Sequence, residues 1–324
     1  MSVTLPRIAV VGVGSFGRNH VRVIRESSQA ALAGVLDIDR ERAAAANCRI
    51  FSTLEELAGN CDAAVIATPT TTHAEIGCRL MELGLDVLIE KPIAQEPEQA
   101  RRLIDCAARH HRILQVGHLE RFNPAVLALE SAVTVPLFFE IHRMSEFSPR
   151  SLDVDVVLDL MIHDIDIVLA LTRQLPQEIR AAGISILSSK VDIANVRLQF
   201  PGGVIANLTA SRVSTERVRK LRLFQPHEYI SLDYTRRDAV RFRVNPPLKI
   251  DFESLAVSKD EPLRLELESF FACVRDRSAP RVTGEQALAA LEVAHGILDK
   301  IKEHAQVVAQ ALGSQERLKS EARH

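Results

Sequence analysis

Between Arg7 and Gly117 the chain repeats one pattern: a short apolar run, a polar turn, then a stretch whose apolar residues recur every three or four positions. The runs Arg7–Val11, Ala31–Asp37, Ala63–Thr68, Asp86–Glu90 and Arg112–Gly117 predict strands. Glu75–Leu83 and Glu96–His110 predict amphipathic helices between them. Strands separated by helices return in parallel, so this part predicts a doubly wound α/β sheet. From Phe138 to Arg243 the period changes to two. Glu178–Leu187, Ala194–Phe200, Val204–Arg212, Leu221–Phe224 and Tyr229–Leu232 read as strands, and Pro201-Gly202-Gly203 as a tight hairpin turn. They predict a large, mostly antiparallel open sheet in an α+β domain. A long helix over Val154–Leu171 packs on it, and helices near Pro262–Arg275 and Gly284–Lys302 close the fold. The expected division is a first domain over residues 1–120, a second over 121–312 and a loose polar tail over 313–324.

Composition narrows the classes. A chain of 324 residues with 47% hydrophobic and 25% charged residues has room for two packed cores. A net charge of −2 gives no electrostatic reason to bind nucleic acid or an anionic membrane. No apolar run is long enough to span a bilayer, and the N-terminus enters a strand without a signal peptide. The five cysteines, Cys48, Cys61, Cys78, Cys106 and Cys273, have neither disulfide nor zinc spacing and read as thiols of a reducing compartment. The cytoplasm is the expected location.

The candidate chemistry lies at strand ends. Gly12-Val13-Gly14-Ser15-Phe16-Gly17 follows the first strand and opens a helix, the context a dinucleotide fingerprint requires. Asp37 closes the second strand, where a carboxylate accepts from the adenosine ribose hydroxyls and repels a 2′-phosphate. Ile38 offers no compensating cation, so NAD is expected over NADP, with Arg40 and Arg42 the nearby cations that weigh against it. Thr68, Pro69 and His73 add a further wall to the same crevice, and Glu90 and Lys91 complete the expected cofactor set. Lys91 ends the run Val87-Leu88-Ile89-Glu90-Lys91-Pro92, and only eight of the forty basic residues are lysine. An ammonium at the end of a buried strand is better explained by chemistry than by solvation, and the proline after it allows a cis peptide. Further on, Asp159, His163 and Asp166 recur at spacings of four and three on a largely apolar helix. Histidine suits proton abstraction near neutral pH, and a neighbouring carboxylate orients it. No metal site is expected.

In this order the glycine loop with Asp37, Glu90-Lys91-Pro92 and Asp159-x3-His163-x2-Asp166 resemble the Gfo/Idh/MocA family of NAD(P)-dependent sugar and cyclitol oxidoreductases. The resemblance spans nearly the whole chain. It implies an N-terminal Rossmann domain, and a C-terminal open sheet that carries substrate and often the oligomer interface. It also assigns Lys91 and His163 as the catalytic pair, with Asp159 beside them. Leu160 and Met161 stand where the family often has a glycine.

A narrower resemblance is to the branch acting on UDP-N-acetylglucosamine. It rests on the segment from Gly117 to Ala125, with His118, Glu120, Arg121 and Asn123, and on Arg212, Arg219 and Lys220 further on. These residues, with Lys91, Asp159 and His163, are the expected substrate set. Relatives in that branch oxidise the sugar 3-hydroxyl, and a pyridoxal-phosphate aminotransferase then makes a 3-amino sugar of the lipid A type. The alternatives are a UDP-N-acetylglucosaminuronate, cyclitol or hexose dehydrogenase, or a non-catalytic NAD-binding regulator. A homodimer or homotetramer is expected, and the choice of formal base between Lys91 and His163 is open.

Overall fold

The computed structural model describes residues 5–147 and 154–321, with side chains through residue 310. The chain divides into two compact units. One takes in the chain up to Pro124 and Lys259–Leu291; the other takes in Ala125–Ser258 and the chain from Glu292 onward.

The first unit alternates β1 (Arg7–Val11), α1 (Ser15–Glu26), β2 (Ala31–Leu36), α2 (Arg40–Ala45), α3 (Leu54–Ala58), β3 (Ala63–Ile66), α4 (His73–Glu82), β4 (Asp86–Glu90), α5 (Pro97–His110) and β5 (Leu114–Gly117). The sheet order is β2-β1-β3-β4-β5, and each neighbouring pair is parallel. Its interior strands are buried on both faces, which is why they read as unbroken apolar runs rather than as alternation. In this order the chain reverses direction across the sheet beside β1, and the carboxyl ends of β1, β3 and β4 lie next to one another. A late helix over Pro262–Asp276 packs on the same core, inserting Leu267, Phe270 and Phe271 against Ile8, Val10, Val35 and Leu88. Burial pushes the Cys61 and Cys78 thiols up to about 11, so both are inert.

The second unit opens with α6 (Pro124–Ala132) and β6 (Phe138–Glu146). A π turn over Val157–Met161 then runs into α7 (Ile162–Thr172). Seven more strands follow: β7 (Glu178–Ile184), β8 (Ile193–Gln199), β9 (Ile205–Ser214), β10 (Val218–Gln225), β11 (Glu228–Asp233), β12 (Asp238–Asn245) and β13 (Lys249–Ser254). Pro262–Asp276 is α8, and α9 runs over Gly284–Glu321. The eight-stranded sheet has the order β13-β12-β11-β10-β6-β9-β8-β7 and is antiparallel except for β6 with β9. The expected mixed architecture, a parallel α/β sheet followed by a mostly antiparallel open sheet, is what the chain forms. Pro201-Gly202-Gly203 turns β8 into β9, with Gly202 at φ +77°. The backbone of α9 stays helical to Glu321, across the segment expected as a loose tail; residues 322–324 lie outside the described residues.

One face of the second sheet is buried. Phe139, Ile141 and Arg143 of β6 lie on it, opposite Leu223, Leu221 and Arg219 of β10. Arg143 is 2% exposed, forms two 2.8 Å hydrogen bonds to Asp164 at the start of α7, and stacks 4.8 Å from the Tyr234 ring centroid. A planar guanidinium matches a carboxylate at two points, so this pair fixes α7 on β6 in one register. No described helix is long and apolar enough to cross a membrane.

Candidate active site

The glycine loop has the geometry of a phosphate cradle. Gly12 has φ +86°, and a Cβ there would stand 2.8 Å from the carbonyl oxygen of Ala67. A Cβ at Gly17 would stand 1.8 Å from the Gly12 carbonyl oxygen, so only glycine lets α1 begin this close to β1. Gly14 caps α1, and a Cβ there would meet nothing within 4 Å; the space beside it is open to a ligand. Ser15 and Phe16 are exposed at the first turn of α1, where the free N–H groups and the helix dipole favour an anion. The Asp37 carboxylate accepts from Val13 N–H at 2.6 Å and Asp39 N–H at 2.8 Å, which locks it to the loop. Each carboxylate oxygen retains capacity for a ribose hydroxyl. Ile38 is fully exposed, and Arg42 is turned to Asp39 at 3.0 Å. These residues fit an NAD cofactor.

The next two strand ends are tied together by His73, which is 1% exposed on α4. Its Nδ1 lies 3.0 Å from the Pro92 carbonyl oxygen and its Nε2 lies 2.9 Å from that of Thr68. Burial pushes its pKa down, against the two carbonyls that pull it up. Thr68 is half-buried and Pro69 exposed in the turn after β3. After β4 the Lys91–Pro92 peptide is cis, and Lys91 is half-buried. The Glu90 side chain is 17% exposed and lies 2.7 Å from His20 Nε2. Burial works against its ionisation, but the hydrogen bond and charge of His20 and the Lys91 ammonium outweigh this and hold its pKa below the usual range.

In the second unit Asp159 lies in the π turn, His163 follows it in the first turn of α7, and both are half-buried. Asp166, one turn on, is 2% exposed. The N–H of Ile162 donates to the Val157 carbonyl, one residue further back than in an α-helix. The turn between Asp159 and His163 is therefore wider than the regular 3.6-residue spacing assumed for them, although residues four apart still return close to the same side. Only His163 and Asp166 keep the regular spacing.

The expected substrate residues fall in several places. His118, Arg121 and Asn123 are buried just after β5, and Asn123 Nδ2 donates to Glu120 at 3.0 Å. Arg212 is 6% exposed, donates to the Val154 carbonyl and lies 3.7 Å from Asp192. Its guanidinium thus braces the segment before the π turn. Asp192 is held down to about 2: burial opposes ionisation, but hydrogen bonds from Leu187, Ile186 and Ser188 prevail. Arg219 and Lys220 are consecutive on β10, so they point to opposite faces. Arg219 shares the covered face with Arg143, whereas Lys220 is exposed beside His142 on the other. The two cations therefore do not converge, a correction that strand alternation explains. Among the described residues, no three His, Cys, Asp or Glu side chains cluster as a metal site.

Sequence reasoning passed over His20 and Glu266. Each is a polar residue on the apolar face of a helix: His20 among Val21, Val23 and Ile24, and Glu266 one turn before Phe270. That pattern was the available signal.

Comparison with known proteins agrees with this geometry. Residues 6–118 match the family described as the oxidoreductase family with an NAD-binding Rossmann fold, and residues 126–225 match the GFO/IDH/MocA C-terminal domain. The UDP-N-acetylglucosamine 3-dehydrogenase of Acidithiobacillus ferrooxidans is 37% identical over 299 residues, 88% of this chain and 94% of that protein. Its solved structure superposes with a TM-score of 0.88, covering 93% of this chain and 99% of that one. The rhizopine catabolism protein MocA of Rhizobium meliloti is 29% identical over 304 residues, 89% of this chain and 92% of that protein. With both domains matched, and a cradle, an acid at the second strand and an ammonium at the fourth all in place, the chain belongs to the Gfo/Idh/MocA family of NAD-binding oxidoreductases.

Proposed function

We propose that this protein is an NAD-dependent dehydrogenase that oxidises the 3-hydroxyl of UDP-N-acetylglucosamine to the 3-keto sugar. The observation that carries the reading is the likeness to the A. ferrooxidans enzyme across both domains, at 37% identity and a TM-score of 0.88. NAD, when bound, supplies the hydride acceptor. The N–H groups around Gly12, Gly14, Ser15, Phe16 and Gly17 hold its pyrophosphate, and Asp37 holds the adenosine ribose. Thr68, Pro69 and Glu90 shape the crevice at the strand ends. Lys91 hydrogen-bonds the substrate oxygen and stabilises the negative charge that develops on it. His163 accepts the hydroxyl proton, and Asp159 acts beside it. Among the substrate candidates, Arg121, Asn123 and Arg219 are the groups suited to a diphosphate and an N-acetyl sugar, because arginine pairs with phosphate oxygens at two points.

A 3-keto sugar is a substrate for transamination, so a pyridoxal-phosphate aminotransferase forming the 3-amino sugar is the expected functional partner, in the cytoplasm. A homodimer or homotetramer is supported by the outer face of the second sheet. There Phe138, Phe224, Tyr229, Phe242 and Phe252 form a continuous row with neighbouring centroids 4.5–5.8 Å apart, and Phe252 is 61% exposed. The position of oxidation is tested with UDP-N-acetylglucosamine deuterated at C3. Deuterium should appear in the NADH formed, and label retained on the sugar would place the reaction at another carbon.

A further inference from the structure

The first unit holds a buried acid that these roles do not use. Glu266, on α8, is 0% exposed, and neither carboxyl oxygen has a hydrogen-bond partner among the described residues. Its neighbours on the helix face are Leu267, Phe270 and Phe271, so an apolar residue or a glutamine would occupy the place at less cost. A buried carboxyl without a protein partner calls for an explanation, and use of its charge state is one that its surroundings can supply. α8 is tied to β5 by the Gln115 side-chain amide, which donates to the Glu266 carbonyl at 3.2 Å. Burial first, and then the charge of Glu90, push the Glu266 carboxyl well above the usual range and favour its protonated form.

Glu90 lies at the junction of several elements. His20 reaches it from α1 at 2.7 Å, and the Lys91 N–H approaches its Oε2 at 3.3 Å. A Cβ at Gly117 on β5 would stand 3.2 Å from that same oxygen, a tight contact that would press the carboxylate back by a few tenths of an ångström. His73 on α4 also feels its charge. The titratable groups around Glu90 are therefore His20, His73, Lys91 and Glu266.

We propose that Glu266 is a positioning residue for the oxidation that acts through Glu90. By keeping its proton, it leaves a single carboxylate beside Lys91, and its ionisation in alkaline solution turns the reaction down. This rests on the reading of Lys91 as the group that holds the substrate oxygen. With both acids ionised, two buried negative charges compete for one ammonium, and Lys91 is drawn from the substrate oxygen towards them. The proton lost by Glu266 passes to solvent, and no bond other than its O–H is broken.

The test uses the full chain with NAD and UDP-N-acetylglucosamine, in wild-type, Glu266→Gln and Glu266→Asp forms. In the wild type, kcat should fall about tenfold per pH unit beyond the Glu266 midpoint, with KM little changed. Glu266→Gln should lose that alkaline fall, and Glu266→Asp, which still titrates, should restore it. The infrared difference between wild type and Glu266→Gln should show a protonated-carboxyl stretch at neutral pH that vanishes in step with turnover. If Glu266→Gln does not fold, the infrared band of the wild type, followed against its own turnover, decides the matter. An unchanged pH profile in Glu266→Gln, or no protonated band at neutral pH, overturns the proposal. Lys91→Ala separates the two readings. If it is inactive while the Glu266→Gln profile matches wild type, the role of Glu266 falls alone; if it stays active, the role of Lys91 falls.

Discussion

Replacing Lys91 with alanine is expected to lower kcat by about 10²–10³-fold, the usual effect of removing one donor from a developing oxyanion. Affinity for NADH should stay nearly constant, because the cradle at Gly12, Gly14 and Gly17 and the carboxylate of Asp37 are formed by other strand ends. The size of the effect follows from where the ammonium sits. It follows a fully buried run of β4 and is half-buried itself, beside a carboxylate held ionised by His20. Water has limited access there, so a lost charge is poorly replaced by solvent. Lys91→Arg should not recover the activity, since a planar guanidinium directs its donors differently from a compact ammonium. Steady-state kinetics with a parallel NADH fluorescence titration measure both quantities. Near-normal turnover in Lys91→Ala would remove the lysine from the mechanism.

The largest loss of stability is expected at Arg143. Arg143→Leu leaves Asp164, itself 2% exposed, as a buried carboxylate without its two hydrogen bonds, at a cost of about 3–5 kcal/mol. The urea midpoint should drop accordingly, and Asp164→Leu alone should behave alike. The double variant should be more stable than either, because two apolar side chains impose no uncompensated charge. Activity should fall further than stability explains, since Asp164 adjoins His163 and the ion pair sets the register of α7 on β6. If the double variant is no better than the singles, the pair is held by something other than its own charges.

The parallel sheet was legible because its interior strands are buried on both faces, and because β1, β2, β4 and β5 run into Gly12, Asp37, Glu90-Lys91-Pro92 and Gly117. Five apolar runs were placed within about two residues of their ends, the precision such boundaries allow. β6, β12 and β13 were not among the predicted strands. β13 is exposed along its whole length, with Ile250 and Phe252 outward, so no buried face imposes an alternation to read. The π turn leaves no mark in the residue pattern either, because i→i−5 bonding depends on packing rather than on local propensity. Arg219 and Lys220 show the opposite case: alternation along β10 was enough to separate them, but similarity of charge had grouped them. The partners of His20 and the surroundings of Glu266 needed contacts between positions far apart in the chain: Glu90 on β4 for the first, and the return of α8 to the first unit for the second. The cofactor cradle could be read from local rules, while the buried charges behind Lys91 could not.

The most direct measurement is NADH formation by the purified protein with UDP-N-acetylglucosamine, run beside UDP-N-acetylglucosaminuronate and myo-inositol. A glutamate-dependent aminotransferase should be added to draw off the keto product. NADH with UDP-N-acetylglucosamine alone is the predicted result. NADH with the uronate or the cyclitol instead, while UDP-N-acetylglucosamine stays silent, would contradict the proposed function.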